Sequence, residues 1–151
     1  MAIARKLKLS HDDVFPNGAF IVSEVNPVFD FERSTRDNKV QQVDPDTGLL
    51  LWQIDVLDAD PEATKKNRTV TIKLLAKVQP VPPAPEGAET FARVVFEDLV
   101  ATPWIDSSRC KPPESNKSHR CGAQAAWSFK ARGMAAPGKP SASPSVPTKA
   151  A

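Results

Sequence analysis

Three residues whose side chains bind metals or undergo redox chemistry lie close together in the chain. Cys110, His119 and Cys121 follow a C-x8-H-x-C spacing. Zinc takes four such ligands in most protein sites, so a fourth would have to come from His11 or from an acidic residue elsewhere. The two thiols can also bridge the base of the loop between them, although a reducing cytoplasm disfavours a permanent bond. The sequence favours unligated thiols over a bridged loop and places zinc third, so it predicts neither a metal site nor a cofactor.

The common enzyme motifs are absent from the sequence. It contains no phosphate-binding glycine loop, no G-x-S-x-G and no H-E-x-x-H. His11 stands beside Asp12 and Asp13, and His119 lies in a polar, basic stretch. Single histidines in such surroundings are usually solvated rather than catalytic. We therefore expect a protein without enzymatic activity.

Basic and aromatic residues interleave at several points, a combination typical of proteins that bind single-stranded nucleic acid. Cations contact the phosphates, and each base that stacks on an aromatic ring contributes about 1–3 kcal/mol. The candidate phosphate contacts are Arg33, Arg36, Lys39, Lys65, Lys66, Arg68, Lys73 and Lys77. The candidate stacking residues are Phe29 and Phe31, whereas Trp52, Phe96 and Trp127 are expected in the core.

Charge is divided unevenly along the 151 residues. Residues 1–106 carry 12 Lys and Arg against 17 Asp and Glu, a net charge of −5. Residues 107–151 carry eight against one, a net charge of +7. A basic segment of this kind can lie along phosphate, and it can equally be a solvated tail.

Proline-rich and polar stretches separate a domain from a tail. Residues 107–122 are polar and basic without an apolar period, and residues 79–87 read QPVPPAPEG, so both stretches are expected to be loops. Residues 135–151 are rich in proline, alanine and serine and lack the apolar surface that would offset their ordering entropy. We expect one domain over residues 1–134 and a disordered tail over residues 135–151.

Five segments have the composition and alternation of β-strands. They cover residues 20–32, 49–60, 70–78, 91–100 and 125–134. The second segment places Trp52, Ile54 and Val56 on one face, and the fourth places Leu99 on the opposite face from Phe96.

The predicted fold is all-β: a five-stranded antiparallel OB-like barrel with long loops and a disordered C-terminal tail. An open meander or a sandwich is the alternative. No apolar run approaches the roughly 20 residues of a membrane span, and no signal-peptide core follows the basic N-terminus. The expected location is therefore the cytoplasm, away from membranes.

Two motifs, and the order of the segments around them, are distinctive. Residues 44–56 read D-x-D-T-G-x-x-x-W-x-x-D-V, and the cysteine-bounded loop leads into W-S-F-K-A-R-G-M. Over residues 20–134 the chain resembles the actinomycete plasmid replication, integration and excision activators, which are small proteins of integrative mobile elements. The resemblance implies a role in switching on replication and excision of such an element.

The strand pattern by itself is similar to that of the compact filamentous-phage type of single-strand DNA-binding protein, because a short sequence replaces a long helix between the third and fourth strands. Those proteins are OB barrels that dimerise and coat DNA, which implies a homodimer on single-stranded DNA. The sequence thus predicts a non-enzymatic replication and maintenance protein that binds single-stranded DNA. The alternative is an adaptor for the element's replication or excision proteins. A transcriptional activator is least favoured, since no helix-turn-helix pattern is present.

Overall fold

Nine β-strands and one short helix occupy residues 4–139, the part of the chain that the computed structural model describes. They are β1 Leu7–Leu9, α1 His11–Val14, β2 Ala19–Ile21, β3 Asn26–Pro27, β4 Leu50–Asp58, β5 Thr69–Ala76, β6 Arg93–Glu97, β7 Leu99–Asp106, β8 Gln124–Ala131 and β9 Gly133–Ala135. The all-β class predicted from the sequence is confirmed. The predicted count of five strands is not, because nine are present in the described residues.

All nine strands belong to one curled sheet that forms a half-barrel. Its order is β1-β7-β8-β5-β4-β2-β6-β9, with β3 pairing to β4 outside this path. Every pairing is antiparallel except the one between β5 and β8, which is parallel. The predicted sheet was antiparallel throughout, so this pairing is a correction.

The β4–β5 hairpin follows the predicted alternation of faces. Ile54 and Val56 of β4 are buried in the core, and Trp52 packs against them. Ile72 and Leu74 of β5 face the same core, with Val70 at its margin. These two strands are the longest continuous pairing in the sheet, from Leu50 opposite Ala76 to Leu57 opposite Thr69.

The last four strands form one long two-stranded ribbon with a break in the middle. β6 pairs with β9 and β7 pairs with β8 in the same register, and the backbone N–H of Arg132 donates to the carbonyl of Glu97 at the break. Asp98 has a positive φ of 52° there. Phe96 and Leu99 both face the core, although residues three positions apart lie on opposite faces of a regular strand. The prediction that they lie on opposite faces is therefore wrong, because the chain turns over at Asp98.

The first predicted strand, residues 20–32, is mostly irregular. Only Ala19–Ile21 and Asn26–Pro27 are strands, and the N–H of Val22 and the N–H of Val28 continue the bonding to β4 at Asp55 and Leu51. Proline cannot donate to a ladder, which limits the second piece to two residues.

The C-terminal end of the described chain continues past the predicted domain boundary. Ala135 is a buried residue of β9, and Lys139 pairs with Glu86. The tail predicted to be disordered covers residues 135–151, and its residues 140–151 lie outside the described residues. Among residues 4–139, no helix has the length and apolar character needed to cross a membrane.

The short helix α1 buries a histidine that the sequence places in a solvated loop. Ser10 caps the helix, exchanging hydrogen bonds with Asp13 in a capping box. His11 is only 8% exposed and packs beside the rings of Phe15 and Phe96. Its Nδ1 accepts a hydrogen bond of 3.2 Å from the backbone N–H of Phe96, so the proton of the neutral ring is on Nε2. The expectation of a solvated His11 is wrong.

We predict that His11 makes the fold sensitive to mild acid. Burial lowers the pKa of His11 below its ordinary value of 6.5, so the unfolded chain takes up the proton first. Its stabilising contribution is complete above the unfolded pKa and is lost as pH falls through the lower folded pKa. The free energy of unfolding, measured with urea, should therefore fall more between pH 7.5 and pH 5 in the wild type than in His11→Asn, whose side chain keeps an acceptor but does not titrate. An equal fall in the two proteins would contradict this assignment.

Candidate nucleic-acid interface

The parallel pairing of β5 with β8 brings two basic connections to the same end of the sheet. Ile72 lies opposite Phe129, and the two strands run in the same direction from that point. The turn over residues 59–68, which precedes β5, and the loop over residues 107–123, which precedes β8, therefore leave the sheet side by side. Together they form what we call the basic end.

Seven cations lie in these two connections. They are Lys65, Lys66, Arg68, Arg109, Lys111, Lys117 and Arg120. The same residues include three acids, Asp60, Glu62 and Glu114, which leaves a net charge of +4. Arg68 is held by a hydrogen bond of 3.0 Å from its guanidinium to the carbonyl of Ala63. The basic end thus combines three of the predicted phosphate contacts with the four cations of residues 107–123, which we call the basic loop.

Two tryptophans stand at the basic end, where β7 and β8 extend beyond the packed core. Trp104 and Trp127 are each 49% exposed, and Ile105 beside them is 66% exposed. Trp127 is opposite Pro103 and Trp104 is opposite Ala126, so the two indoles lie on opposite faces of the ribbon. The prediction that Trp127 is a core residue is wrong, whereas Phe96 is buried and Trp52 packs against the core.

The outer face of the sheet leads from the basic end towards the other end of the hairpin. Lys73 of β5 is in register with Lys130 of β8, and both point away from the core because their neighbours Ile72, Leu74 and Ala131 point into it. Thr71 donates a hydrogen bond of 2.6 Å to the carboxylate of Asp55 on the adjoining strand. Lys73, another of the predicted phosphate contacts, lies opposite Gln53 midway along the β4–β5 hairpin.

The remaining predicted residues gather at the opposite end, where β5 ends and β4 begins. Lys77 follows β5 directly, and the loop between β3 and β4 carries the others: Phe29, Phe31, Arg33, Arg36 and Lys39. Phe31 is 95% exposed, and the Lys39 ammonium lies 5.2 Å from the centre of the Phe29 ring. A strand of eight residues separates the two groups by roughly 25 Å.

The turn in the D-x-D-T-G motif fixes this second end to the sheet. The carboxylate of Asp44 is almost fully buried and accepts hydrogen bonds from Lys130 at 2.9 Å and from the Thr47 hydroxyl at 2.8 Å. Gly48 has a φ of 71°, which a glycine adopts without strain, and its N–H donates to the Asp44 carbonyl. The motif therefore has a structural role that ties residues 44–48 to β8.

A cleft of about 730 Å³ lies next to this turn, between β1, β7 and β8. Four cations and three acids line it, and two of the cations are already paired, Lys6 with Asp46 and Lys130 with Asp44. The mixed charge makes the cleft a weaker anion site than the basic end.

The three candidate metal ligands of the basic loop, Cys110, His119 and Cys121, lie close together in space. The sulfur atoms of Cys110 and Cys121 are 3.8 Å apart, and both thiols are free. His119 lies beside them.

Comparisons with protein-family models, with curated proteins and with solved structures return no match to this chain. Sequence reasoning missed Trp104 and the loop cations as partners of Lys65 and Lys66. Alternation along β7 gives a partial signal for Trp104, because it shares the outer face with Val100 and Thr102 while Leu99 and Ala101 are buried.

We predict that Asp44→Asn lowers the free energy of unfolding by about 1–3 kcal/mol, since it removes the charged acceptor of Lys130. Burial acts to raise the pKa of Asp44, but the hydrogen bonds from Lys130 and Thr47 outweigh it and hold the pKa below its ordinary value of 3.8. The stabilisation is therefore present above that value and disappears as pH falls through the lower folded pKa.

Urea unfolding of both proteins at neutral and acidic pH measures this difference. Asp46→Asn is the matched control, because its partner Lys6 is exposed and a much smaller change is expected. If the difference in free energy of unfolding between the wild type and Asp44→Asn stayed constant into strong acid, the role of the Asp44 carboxylate would be contradicted.

Proposed function

We propose that the protein binds single-stranded DNA, without enzymatic activity, as a cytoplasmic replication and maintenance protein of an integrative mobile element. The observation that carries the proposal is the basic end, where two connections with seven cations leave the sheet at the end that also carries two half-exposed tryptophans. Single strands are bound by this combination of a positive groove and aromatic platforms. The mobile-element setting comes from the family resemblance of residues 20–134.

The pairing order supports an OB-type barrel as the scaffold. β2 with β3, β6 with β7, and β8 with β9 behave as three composite strands, which join β4 and β5 to make five. β2 also pairs with β6, which connects the two sides of the curled sheet. In this count β4 and β5 are the second and third strands. OB folds bind oligonucleotides on the face of those two strands and with the loops after the first and fourth.

That arrangement accounts for both groups of predicted residues. The loop after the first composite strand carries Phe29 and Phe31, and the loop after the fourth is the basic loop of residues 107–123. Lys73 lies on the face between them. A track of roughly 25 Å suits the site sizes of about 4–16 nucleotides that single OB folds occupy.

The second candidate function is an adaptor for the element's own proteins. Its support is the proline-rich loop between β5 and β6, where Val78 is 73% and Val81 is 80% exposed. An apolar contact of this kind persists in salt, whereas phosphate contacts weaken steeply, so salt dependence separates the two functions.

We predict that Lys65→Glu combined with Lys66→Glu weakens binding of labelled oligo-dT roughly tenfold or more at low salt. The slope of log affinity against log salt should flatten by about 1.4, because each phosphate contact to a single strand contributes about 0.7. Fluorescence anisotropy of the full chain, from low to physiological salt, measures both quantities.

The matched control is Arg93→Glu combined with Lys139→Glu, which makes the same change in net charge. Both side chains pair with glutamates on the far side of the sheet, Arg93 with Glu89 and Lys139 with Glu86. An equal loss of oligo-dT affinity in the two double variants would show that the effect comes from overall charge alone. No binding by the wild type at low salt would remove the DNA proposal and leave the adaptor.

We predict that Trp104→Ala and Phe31→Ala each weaken oligo-dT binding by about 1–3 kcal/mol, the value of one stacked base. Both rings are substantially exposed, so their removal should leave the midpoint of thermal unfolding nearly unchanged. Phe91→Ala is the control, since this half-exposed ring stands just before β6, away from the proposed track. Unchanged affinity in both test variants would exclude these rings as stacking platforms.

A further inference from the structure

The two limbs of the basic loop meet at its base. The backbone of Ser108 is held by the carboxylate of Asp106, and the N–H of Cys110 donates to the carbonyl of Ser107. On the other limb, Gly122 passes so close to Arg109 that a β-carbon at position 122 would lie 2.8 Å from the Arg109 carbonyl oxygen. The missing side chain at Gly122 therefore allows the limbs to approach and brings Cys110 opposite Cys121.

The separation of the two sulfurs matches shared coordination of a metal ion. At 3.8 Å they are much too far apart for a disulfide, whose bond length is about 2.05 Å. Two thiolates that each lie about 2.3 Å from a tetrahedral zinc ion are about 3.8 Å apart. The limbs thus already hold the sulfurs along one edge of a zinc tetrahedron.

His119 lies beside the two sulfurs and keeps one ring nitrogen available for a metal. Its Nδ1 lies 2.9 Å from the carbonyl oxygen of Lys111, and because a carbonyl only accepts hydrogen bonds, Nδ1 carries the proton. In the neutral ring Nε2 is then unprotonated and free to bind a metal. A metal-bound histidine usually donates its other N–H to a carbonyl in this way. Ligand atoms of the three side chains all lie within 4.8 Å of one another.

We propose that Cys110, Cys121 and His119 form a zinc site at the base of the basic loop. Two thiolates and a neutral imidazole balance the charge of Zn²⁺, and each thiol releases its proton to solvent on binding. No further His, Cys, Asp or Glu of residues 4–139 joins the group, so water fills the fourth position. The site is distinct from the DNA proposal and stands whether or not the chain binds nucleic acid.

Metal titration of the full chain tests the site. The reduced, chelator-treated protein should bind one equivalent of Zn²⁺ in competition with a chromophoric chelator, with a dissociation constant below about 1 μM and weaker than that of four-ligand sites. Affinity should rise with pH, because protons are released. Co²⁺ in place of zinc should give sulfur-to-metal charge-transfer bands together with the visible bands of a tetrahedral ion.

Variants separate this site from adventitious binding. Cys110→Ser and Cys121→Ser should each weaken zinc binding at least about 100-fold and remove the charge-transfer bands or halve their intensity, and His119→Ala should weaken it about 10- to 100-fold. Ser118→Ala in the same loop and His11→Asn in the core are controls that should bind like the wild type. Zinc should also slow trypsin cleavage after Lys117 and Arg120 in the wild type, and should not do so in Cys121→Ser.

Three results would overturn the proposal. They are zinc binding that survives both cysteine variants, a reduced wild type that binds no zinc at micromolar concentration, and bound Co²⁺ without sulfur charge-transfer bands. Isolation of the protein with a stable Cys110–Cys121 disulfide, together with no zinc binding after its reduction, would identify the pair as a redox bridge.

Discussion

The turn-over of the ribbon at Asp98 is the constraint on which the other features of the sheet depend. Asp98 adopts a positive φ that an aspartate tolerates better than most residues, and Arg132 breaks the partner strand at the same point. The ribbon therefore keeps apolar side chains on the core on both sides of the break. Its first half can then pair with β2 and its second half with β1 and, through β8, with β5. The parallel contact of β5 and β8, and with it the basic end, follows from this path.

Local alternation predicted the core face of the β4–β5 hairpin correctly because a period of two holds from Trp52 to Val56 and from Val70 to Leu74, although Leu51 and Leu75 are buried on the opposite face. The same reasoning was wrong for residues 91–100, where Asp98 resets the period and places Phe96 and Leu99 on one face. In the sequence, the Glu97-Asp98 pair gives no clear signal for a break in a strand. The five-strand interpretation counted segments by composition, and composition does not show where a paired strand is interrupted.

The candidate site was predictable by residue type and only in part by arrangement. Lys65, Lys66 and the basic loop each stand out in the sequence, yet their meeting depends on a parallel pairing between strands more than 50 residues apart. Non-local pairing leaves no trace in periodicity. Trp127 was misplaced for a related reason: its parity is that of a core residue, but β8 pairs with β5 only from Phe129 onwards, and the Trp127 ring before that point remains half exposed.

An acidic body is compatible with the proposed basic binding surface because many of its carboxylates act within turns. Asp30 accepts from the backbone of Glu32, Asp58 from that of Asp60, and Asp106 from that of Ser108. Short loops need such acceptors for backbone N–H groups that no strand satisfies. Asp44 extends the same principle to a cation, since it holds both its own turn and Lys130. The negative charge of residues 1–106 thus arises largely where the chain changes direction, while the cations of residues 107–123 have few local acids to neutralise them. Folding thereby segregates a nearly neutral chain into an acidic body and one positive end.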